Sequence, residues 1–415
     1  MAPRNSVVLL FVAFILCSSS AQPIGDVKIG HIDSLYSKIL NEPRQIWVHV
    51  PAGEDASMYE KATYPVVYLL DGDAHFSSVV GMIEQLSSVN GNTNCPKMIV
   101  VGIPNTNRTR DLTPSQAAAD HPFIPPGMAA QSGGGEKFTE FIEKELIPYI
   151  DATYPTEPFR MLIGHSFGGL MVINTLFNHP DLFHAYLAID PSMWWDHQKL
   201  LKAIKASGDG DPFHDKWLYV GIANTMGASK DTTMAMRDTT LTSEHIRNII
   251  YLNRYLEHLD HAAFQYQAKF YPDDSHGSVP LIATYDAIRY FFDFYALSIE
   301  LEDVMNPAVN LATKIEQHYE QVSKKFGYEK KPDESFINQM GYQLISMQQL
   351  AKAEQLFQLN VRYFPDNFNV YDSLGDCYLA MGEKDKAKIN FQLALSHNPD
   401  SVESKRKLGE LMKNN

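Results

Sequence analysis

The sequence predicts an α/β fold, with a mostly parallel sheet flanked by helices, followed by a small all-α domain. One observation is that short apolar runs alternate with amphipathic stretches from about residue 27 to residue 300. Strands that alternate with helices in this way form parallel sheets covered on both faces. The other observation is a pattern near the C-terminus that recurs after 34 residues. Because 415 residues exceed what one hydrophobic core usually holds, one large and one small domain are expected.

The strands and helices of the large domain are predicted from the spacing of apolar residues. The segment 45–50 alternates between apolar and polar residues, which indicates an early antiparallel strand. The later strands are continuous apolar runs between turn residues, as expected of strands buried on both faces. They are predicted at 66–70, 98–103, 159–163, 186–189, 217–220 and 265–270. Helical spacing predicts helices at 138–149, 170–177, 244–259 and 281–295.

The N-terminus has the pattern of a secretory signal peptide. Arg4 precedes a ten-residue apolar run at 7–16, and small residues then lead to Ala21. We predict cleavage after Ala21, so that residues 1–21 are removed and the protein is secreted or periplasmic. The run is shorter than the roughly 20 apolar residues of a spanning helix, so no stable membrane span is predicted.

Beyond the large domain, predicted at residues 27–298, a polar helical connector is predicted at 299–334. The remaining residues, 335–415, contain two copies of one pattern, in which glycine, alanine, phenylalanine and proline each recur after 34 residues. The paired positions are Gly341 and Gly375, Ala353 and Ala387, Phe357 and Phe391, and Pro365 and Pro399. This pattern resembles the tetratricopeptide repeat. Because three repeats are usually needed for independent stability, we expect the two repeats and the capping helix to pack against the connector or the large domain.

Composition and charge exclude several classes of function. The formal net charge is −14 and no cluster of lysine or arginine is present, so a nucleic-acid-binding surface is not expected. After removal of the signal peptide only Cys95 and Cys377 remain, far apart in the sequence, which predicts neither a disulfide framework nor a zinc site. The histidines and aspartates lack the spacing of metal ligands. The chain is therefore expected to need no metal and no cofactor.

The segment GHSFGG, residues 164–169, has the G-x-S-x-G pattern of a nucleophile elbow. It follows a predicted strand and precedes a predicted helix, which is the context that this turn requires. A tight turn strains the backbone at the serine, so its neighbours must be almost free of side chain, and Gly164 and Gly168 meet that need. We therefore predict that Ser166 is a nucleophile. The alternative is a glycine-rich turn in which the serine has no catalytic role.

A serine hydroxyl needs a base within hydrogen-bond reach and an acid that orients this base. His276 is the candidate base because it lies in a turn-rich loop after the last predicted strand. Asp231 is the first carboxylate after the next-to-last predicted strand and is the predicted acid. The alternatives that remain open are Asp238 and Glu244, which follow it, and Asp190, which follows the preceding strand.

Acyl transfer also needs hydrogen-bond donors for the oxyanion of the tetrahedral intermediate. The backbone N–H of Phe167, directly after the predicted nucleophile, is one candidate. The backbone N–H of Asp73, in the loop after the strand at 66–70, is the other. For Asp73 the alternative is a plain Asp-Gly turn.

Five segments together resemble one known family. They are YLLDGD (68–73), GIPNTNRTRDLTP (102–114), GHSFGG (164–169), DPSMWWD (190–196) and YPDDSHGSVP (271–280). The resemblance is to the putative-esterase family, which includes enterochelin-type siderophore esterases, esterase D and the mycolyltransferases within the α/β-hydrolase fold. It covers about residues 27–298.

The resemblance implies an α/β-hydrolase fold with Ser166 as nucleophile, His276 as base and the amide of Asp73 in the oxyanion hole. In the family the acid often follows its strand closely, whereas here asparagine and threonine occupy the nearest positions, 224–225. That departure leaves the choice of Asp231 open.

The resemblance further implies that Arg110 and Asp111 lie beside the substrate cleft and that Trp194 and Trp195 form part of its wall. On physical grounds alone, paired tryptophans are more often buried packing than substrate contacts. Arg110, Trp194 and Trp195 are therefore candidate substrate-binding residues.

The expected protein is an exported serine esterase with C-terminal tetratricopeptide repeats. It would hydrolyse a small-molecule ester through an acyl-enzyme on Ser166. One alternative is an acyltransferase that uses the same triad. Another is a non-catalytic binding protein that recruits a protein partner, or a second copy of itself, through the repeats.

Overall fold

The computed structural model of the chain describes residues 25–413, except residue 54 and the segments 208–212, 227–231 and 260–263. The predicted signal peptide, residues 1–21, lies outside the described residues. Among the described helices, none is both long and apolar enough to cross a membrane. Cys95 and Cys377 are buried free thiols.

Eight strands of the described residues form one sheet. They are β1 (His31–Ser37), β2 (Glu42–His49), β3 (Tyr64–Leu70), β4 (Ile99–Ile103), β5 (Thr156–His165), β6 (Ala185–Ile189), β7 (Lys216–Ala223) and β8 (Phe264–Tyr271). The order across the sheet is β1-β2-β4-β3-β5-β6-β7-β8. The pairings of β2 with β1 and β4 are antiparallel, whereas β3 to β8 run parallel. This arrangement confirms the predicted fold class. The apolar pattern did not predict β1, an edge strand in which only the last residue is buried.

Helices cover both faces of the sheet and continue beyond it. Those of the large domain are α1 (Gly72–Ser87), α2 (Arg108–Asp111), α3 (Pro126–Gln131), α4 (Gly135–Phe141), α5 (Ile147–Thr153), α6 (Phe167–Asn178), α7 (Trp195–Ala206), α8 (Thr232–Arg237), α9 (Glu244–Leu256) and α10 (Val279–Phe291). Those of the C-terminal helical region are α11 (Leu301–Met305), α12 (Leu311–Phe326), α13 (Glu334–Ser346), α14 (Leu350–Tyr363), α15 (Phe368–Ala380), α16 (Lys384–His397) and α17 (Val402–Lys413).

The sheet separates two hydrophobic layers. Successive residues of β6 show the alternation: Tyr186 and Ala188 face one layer, and Leu187 and Ile189 face the other. The first layer contains residues of α4, α6 and α9, and the second contains residues of α1 and α10. Because both faces of the inner strands are buried, these strands are continuous apolar runs in the sequence.

The helical region contains two hairpins, α13–α14 and α15–α16, that repeat one packing contact. A Cβ placed on Gly341 would lie 2.5 Å from the ring of Phe357, and a Cβ on Gly375 would lie 2.6 Å from the ring of Phe391. Only glycine therefore lets the phenylalanine approach the facing helix. The 34-residue period of the sequence corresponds to this contact made twice.

The helical region packs against the large domain through apolar and polar contacts. The ring of Phe326 in α12 lies 5.0 Å, centroid to centroid, from that of Phe159 in β5. Lys330 Nζ lies 2.6 Å from Glu157 Oε1, and both side chains are largely buried. Glu334 Oε2 accepts a hydrogen bond at 2.8 Å from a backbone N–H of the loop before β3. The two hairpins are thus anchored to the large domain.

Candidate active site

Ser166 lies alone in the turn between β5, which ends at His165, and α6, which begins at Phe167. Its backbone has φ 60° and ψ −113°, a conformation that costs energy for a residue with a Cβ. A Cβ on Gly164 would lie 2.4 Å from the carbonyl carbon of Gly168, so nothing larger than glycine fits at position 164. The strand–turn–helix context that the sequence predicted for Ser166 is therefore present.

Two side chains from the carboxyl edge of the sheet meet beside this turn. Asp190 directly follows β6, and His276 lies in the loop after β8. His276 Nδ1 donates to Asp190 Oδ2 at 2.6 Å; the Asp190 side chain is fully buried, whereas that of His276 is 42% exposed. Because a carboxylate only accepts hydrogen bonds, the proton of a neutral His276 lies on Nδ1 and Nε2 keeps its lone pair. Nε2 is thus the nitrogen available as a base.

The residue before Ser166 contacts His276, and Ser166 itself contacts β6 and the loop after it. The ring of His165, the residue before the serine, lies 4.4 Å from that of His276, centroid to centroid. The backbone N–H of Ser166 donates to the carbonyl of the last residue of β6 at 2.9 Å. Ser166 Oγ lies 3.4 Å from Ser192 Oγ, which is its one side-chain hydrogen bond among the described residues. Among the hydrogen bonds of the described residues, none joins Ser166 Oγ to His276 in this structure.

Of the four carboxylates considered as the acid, Asp190 is the one that contacts His276 in the described part of the chain. Asp231, which the sequence favoured, lies outside the described residues. Glu244 accepts a hydrogen bond from another histidine ring at 2.9 Å, and Asp238 accepts one from a nearby backbone N–H at 2.8 Å. The position of Asp190 follows from the sheet order, because β6 is the immediate neighbour of β5 and β7 is one strand farther away.

Asn224, directly after β7, contacts the loop that carries His276. Its side-chain Nδ2–H donates to the carbonyl of Pro272 at 2.9 Å, and its backbone N–H donates to the carbonyl of Asp274 at 2.8 Å. Both carbonyls belong to the loop that carries His276. At this position the chain therefore has a residue that braces the histidine loop.

A second histidine, which the sequence did not point to, also binds Asp190. From the first turn of α9, His245 Nε2 donates to Asp190 Oδ2 at 2.9 Å. The backbone N–H of Ala223 donates to Asp190 Oδ1 at 3.0 Å. Contrary to the expectation that no metal-ligand group forms, possible ligand atoms of Asp190, His245 and His276 lie within 4.8 Å of one another. A metal ion could bind there only if both histidine–carboxylate hydrogen bonds were given up.

These contacts keep Asp190 ionised at neutral pH. Burial raises the pKa of a carboxyl group, but the hydrogen bonds from His245 and His276 outweigh burial and hold the pKa of Asp190 well below its ordinary value. An ionised Asp190 stabilises His276 once this ring has taken up a proton. In His165, by contrast, burial and then the nearness of His276 and His75 lower the pKa to about 4, so this ring stays neutral.

The two predicted oxyanion donors lie at the starts of two helices that pack on opposite faces of the sheet. Phe167 is the first residue of α6, and Asp73 is the second residue of α1. A Cβ on Gly168 would lie 3.2 Å from Asp71 Oδ2, so the start of α6 closely approaches the turn before α1. The first N–H groups of a helix lack an intrahelical acceptor and carry the positive end of the helix dipole. Phe167 and Asp73 therefore remain the predicted donors.

Arg108, and not Arg110, connects the turns before α1 and α6. Arg108 Nε and Nη2 donate to the two carboxylate oxygens of Asp71 at 2.7 and 2.9 Å, and Nη2 also donates to the last carbonyl of β5 at 3.3 Å. Arg110 donates instead to Glu42 at 2.6 and 2.9 Å and to Asp111 at 2.7 Å. Two carboxylates thus engage all three nitrogens of the Arg110 guanidinium. The structure does not support the prediction that Arg110 binds substrate.

The two tryptophans have different surroundings. Trp195 is 2% exposed, and its Nε1–H donates to the carbonyl of Ser115 at 3.0 Å. It is therefore a core residue, in contrast to the prediction that it lines the cleft. Trp194 is partly buried and stacks on His121, with ring centroids 5.0 Å apart, and its ring lies 6.3 Å from that of Phe167. Trp194 remains a candidate for the cleft wall.

Comparison with known proteins finds named ester hydrolases among the relatives. Ferri-bacillibactin esterase BesA of Bacillus subtilis is 32% identical over 163 residues, which are 37% of this chain and 56% of that protein. Siderophore enterobactin esterase of Emericella nidulans is 33% identical over 150 residues, 32% of this chain and 48% of that protein. The chain thus spans about half the length of these two relatives.

A solved structure and a family model extend the similarity. The crystal structure of an IroE-like serine hydrolase from Shewanella oneidensis is similar over 80% of this chain and 99% of that chain, with a TM-score of 0.66 and 30% identity. The family model described as "Putative esterase" matches residues 37–274, which are more than half of the chain and include the turn at Ser166. The chain therefore belongs to the putative esterase family.

Proposed function

We propose that the chain is an exported serine carboxylic-ester hydrolase that acts through an acyl-enzyme on Ser166. The observation that carries the proposal is the 2.6 Å hydrogen bond between His276 and the buried Asp190, beside the strained turn at Ser166. Asp190 acts as the acid in place of Asp231. Membership of the esterase family and the names of the relatives support an esterase reaction.

In the proposed attack, Ser166 Oγ turns away from Ser192 and toward His276 Nε2. His276 takes the hydroxyl proton as Oγ forms a bond with the ester carbonyl carbon. The resulting imidazolium is stabilised by Asp190, which accepts the hydrogen bond from Nδ1. The low pKa of Asp190 serves this step because the carboxylate is already ionised when the positive charge develops.

The N–H groups of Phe167 and Asp73 bind the oxyanion that forms at the same time. When this tetrahedral intermediate collapses, the bond to the alcohol breaks and His276 gives the leaving alcohol its proton. Water then attacks the acyl-enzyme with His276 again as base, which releases the acid and restores the serine.

For the substrate we propose a siderophore ester. The names of two relatives, a ferri-bacillibactin esterase and a siderophore enterobactin esterase, support this class. An aromatic wall beside the site also supports it, because Trp194 lies 6.4 Å from Phe123, which is 58% exposed. Such a wall suits planar groups on a ligand.

Export and the C-terminal repeats complete the proposal. The signal-peptide pattern at residues 1–21 supports a secreted or periplasmic location. The 34-residue period and the glycine–phenylalanine contact in each hairpin support two tetratricopeptide repeats in α13–α16, with α17 as the capping helix. Their surface is a candidate site for a protein partner or for self-association.

The test uses purified residues 22–415, the Ser166→Ala variant, and Ser192→Ala as a matched control. Each protein is assayed for hydrolysis of p-nitrophenyl acetate and butyrate, and is treated with a fluorophosphonate probe and analysed by intact and peptide mass. We expect turnover and labelling of the Ser166 peptide in the parent protein, and a loss of about 10⁴-fold or more in Ser166→Ala. Ser192→Ala should still be labelled.

Absence of turnover and of labelling in the parent protein would overturn the proposed function. Addition of an alcohol acceptor separates hydrolysis from acyl transfer, because an acyltransferase would form a new ester in place of the free acid.

A further inference from the structure

We infer that His245 is a positioning residue for the ester hydrolysis, and that its Nε2–H holds the Asp190 carboxylate in the orientation that serves His276. This inference rests on the proposed function. It assigns a role to a histidine that lies outside the predicted triad and that no sequence motif marks.

Three donors from three separate elements bind the Asp190 carboxylate. The N–H of Ala223, the last residue of β7, donates to Oδ1 at 3.0 Å. His276, from the loop after β8, donates to Oδ2 at 2.6 Å, and His245, from α9, donates to the same oxygen at 2.9 Å. The rings of His245 and His276 meet at 88° with their centroids 5.2 Å apart. The catalytic base and His245 thus share one acceptor atom.

Asp190 needs this additional donor because its backbone conformation is unusual and its charged side chain is buried. It follows β6 with φ 43°, and its side chain is completely buried. Without His245, a single backbone N–H and the base itself would orient the carboxylate, and rotation about the Cβ–Cγ bond would change the oxygen that faces His276. A second donor on Oδ2 opposes that rotation, since an unpaired buried carboxylate oxygen is costly.

His245 is itself firmly held and can therefore act as a fixed donor. It lies in the first turn of α9, whose residues Ile246 and Ile249 are fully buried in the core. The preceding residue, Glu244, accepts a hydrogen bond from His121 at 2.9 Å, and the His245 side chain is 19% exposed. These contacts fix the helix turn that carries His245, and the hydrogen bond to Asp190 orients its ring.

The test compares side chains that keep or remove the donor at the position of Nε2. In His245→Gln, the amide nitrogen is as many bonds from Cα as histidine Nε2 and can donate to Asp190. His245→Phe keeps the ring shape without a donor. His197→Phe is the matched control, because His197 lies on the surface and pairs with Asp120 at 3.1 Å. For each variant kcat, KM and the melting temperature are measured with p-nitrophenyl butyrate.

We expect His245→Phe to lower kcat by about 10- to 100-fold, with KM changed by less than about threefold, since a hydrogen bond to a charged group is lost. His245→Gln should restore kcat to within about fivefold of the parent, and His197→Phe should leave it within about twofold. Should His245→Phe fail to fold, His245→Asn takes its place, because its shorter amide does not reach Asp190 Oδ2 while the side chain stays polar.

Two results would overturn the inference: a donor-free variant with the kcat of the parent, or a His245→Gln variant that loses as much kcat as His245→Phe at an unchanged melting temperature. If the parent protein itself neither hydrolyses esters nor is labelled at Ser166, the proposed function has failed and this inference fails with it. The two failures are therefore distinguishable.

Discussion

Both regions of the protein contain glycines at which an added Cβ would overlap a neighbouring atom, but the neighbouring atoms differ in kind. In the large domain, Gly164 faces backbone at 2.4 Å and permits the strained turn that holds Ser166. In the helical region, Gly341 and Gly375 face phenylalanine rings at 2.5 and 2.6 Å and permit helices to pack. The first contact builds an irregular site, and the second builds a regular packing that repeats. We therefore expect substitutions in the large-domain site to change the rate, and substitutions in the helical region to change stability.

Buried polar groups also differ between the regions, because some form the candidate site and others join the two regions. Asp190 is bound by donors that also orient His276, so its contacts belong to the proposed chemistry. At the junction with the helical region, Glu157 is bound by Lys330 at 2.6 Å and by the hydroxyl of Tyr328 at 2.7 Å. These contacts join two parts of the chain and lie at the opposite end of β5 from Ser166.

Among substitutions that leave Ser166 in place, Asp190→Asn should have the largest effect on the rate. We expect kcat to fall by about 10³- to 10⁴-fold, because an amide cannot hold the His276 tautomer and cannot stabilise its positive charge. The measurement is the ester assay used for Ser166, with a melting curve to show that the variant is folded. Asp238→Asn is the matched control and should keep kcat within about twofold. A loss of less than tenfold in Asp190→Asn would show that another residue, such as Asp231, supplies the acid.

The sequence predicted the parts of the site that lie within one local pattern. Ser166 is marked by its glycines and by the strand and helix around it, and His276 is marked by its place after the last strand. The proposed acid, Asp190, carries no such mark, because any strand that ends at the carboxyl edge of the sheet can supply an acid. Only the sheet order, with β6 beside β5, brings Asp190 to the site.

The sequence did not show that residues of the same type at nearby positions have different surroundings. Arg108 and Arg110 are two positions apart in α2, so they lie on different sides of the helix and find different partners. Trp194 and Trp195 likewise differ, since Trp194 is partly buried and Trp195 lies in the core. His245 gave no signal because it lies far from His276 in the chain, and only the packing of α9 against the sheet brings it to Asp190. In each case the deciding factor is tertiary structure.

Lys330→Met should have the largest effect on stability. The Lys330–Glu157 pair is 11% and 9% exposed, and removal of the lysine leaves a buried carboxylate without its counter-charge. We expect the free energy of unfolding to fall by about 3 kcal/mol, with kcat unchanged at 25 °C. Denaturant unfolding measures the loss. Lys331→Met is the matched control, since Lys331 is exposed, donates to the carbonyl of Tyr363 at 3.2 Å, and lies 5.7 Å from the centre of the Phe364 ring, with no carboxylate partner among the described residues. An equal loss in both variants would show that the pair does not join the two regions.

Gly375→Ala should have the smallest effect on the free energy of unfolding. It tests most directly whether a change in the helical region alters stability without altering the rate. The new Cβ would lie 2.6 Å from the ring of Phe391, so the hairpin must shift, while alanine favours the helix more than glycine does. We expect a net loss of about 1 kcal/mol in the free energy of unfolding, measured by denaturant titration, with kcat and KM unchanged. In Gly409→Ala, the matched control in α17, the new Cβ meets no atom within 4 Å, so this variant should gain about 0.5 to 1 kcal/mol.

The two glycine variants thus differ in the sign of their effect on stability, although both lie in the helical region and both add one methyl group. If Gly375→Ala lowered kcat while the chain remained folded, the helical region would have to act on the site through its contacts with the large domain. The buried contact between Phe326 and Phe159 would then be the route to examine, because Phe159 lies in β5, the strand that ends directly before Ser166.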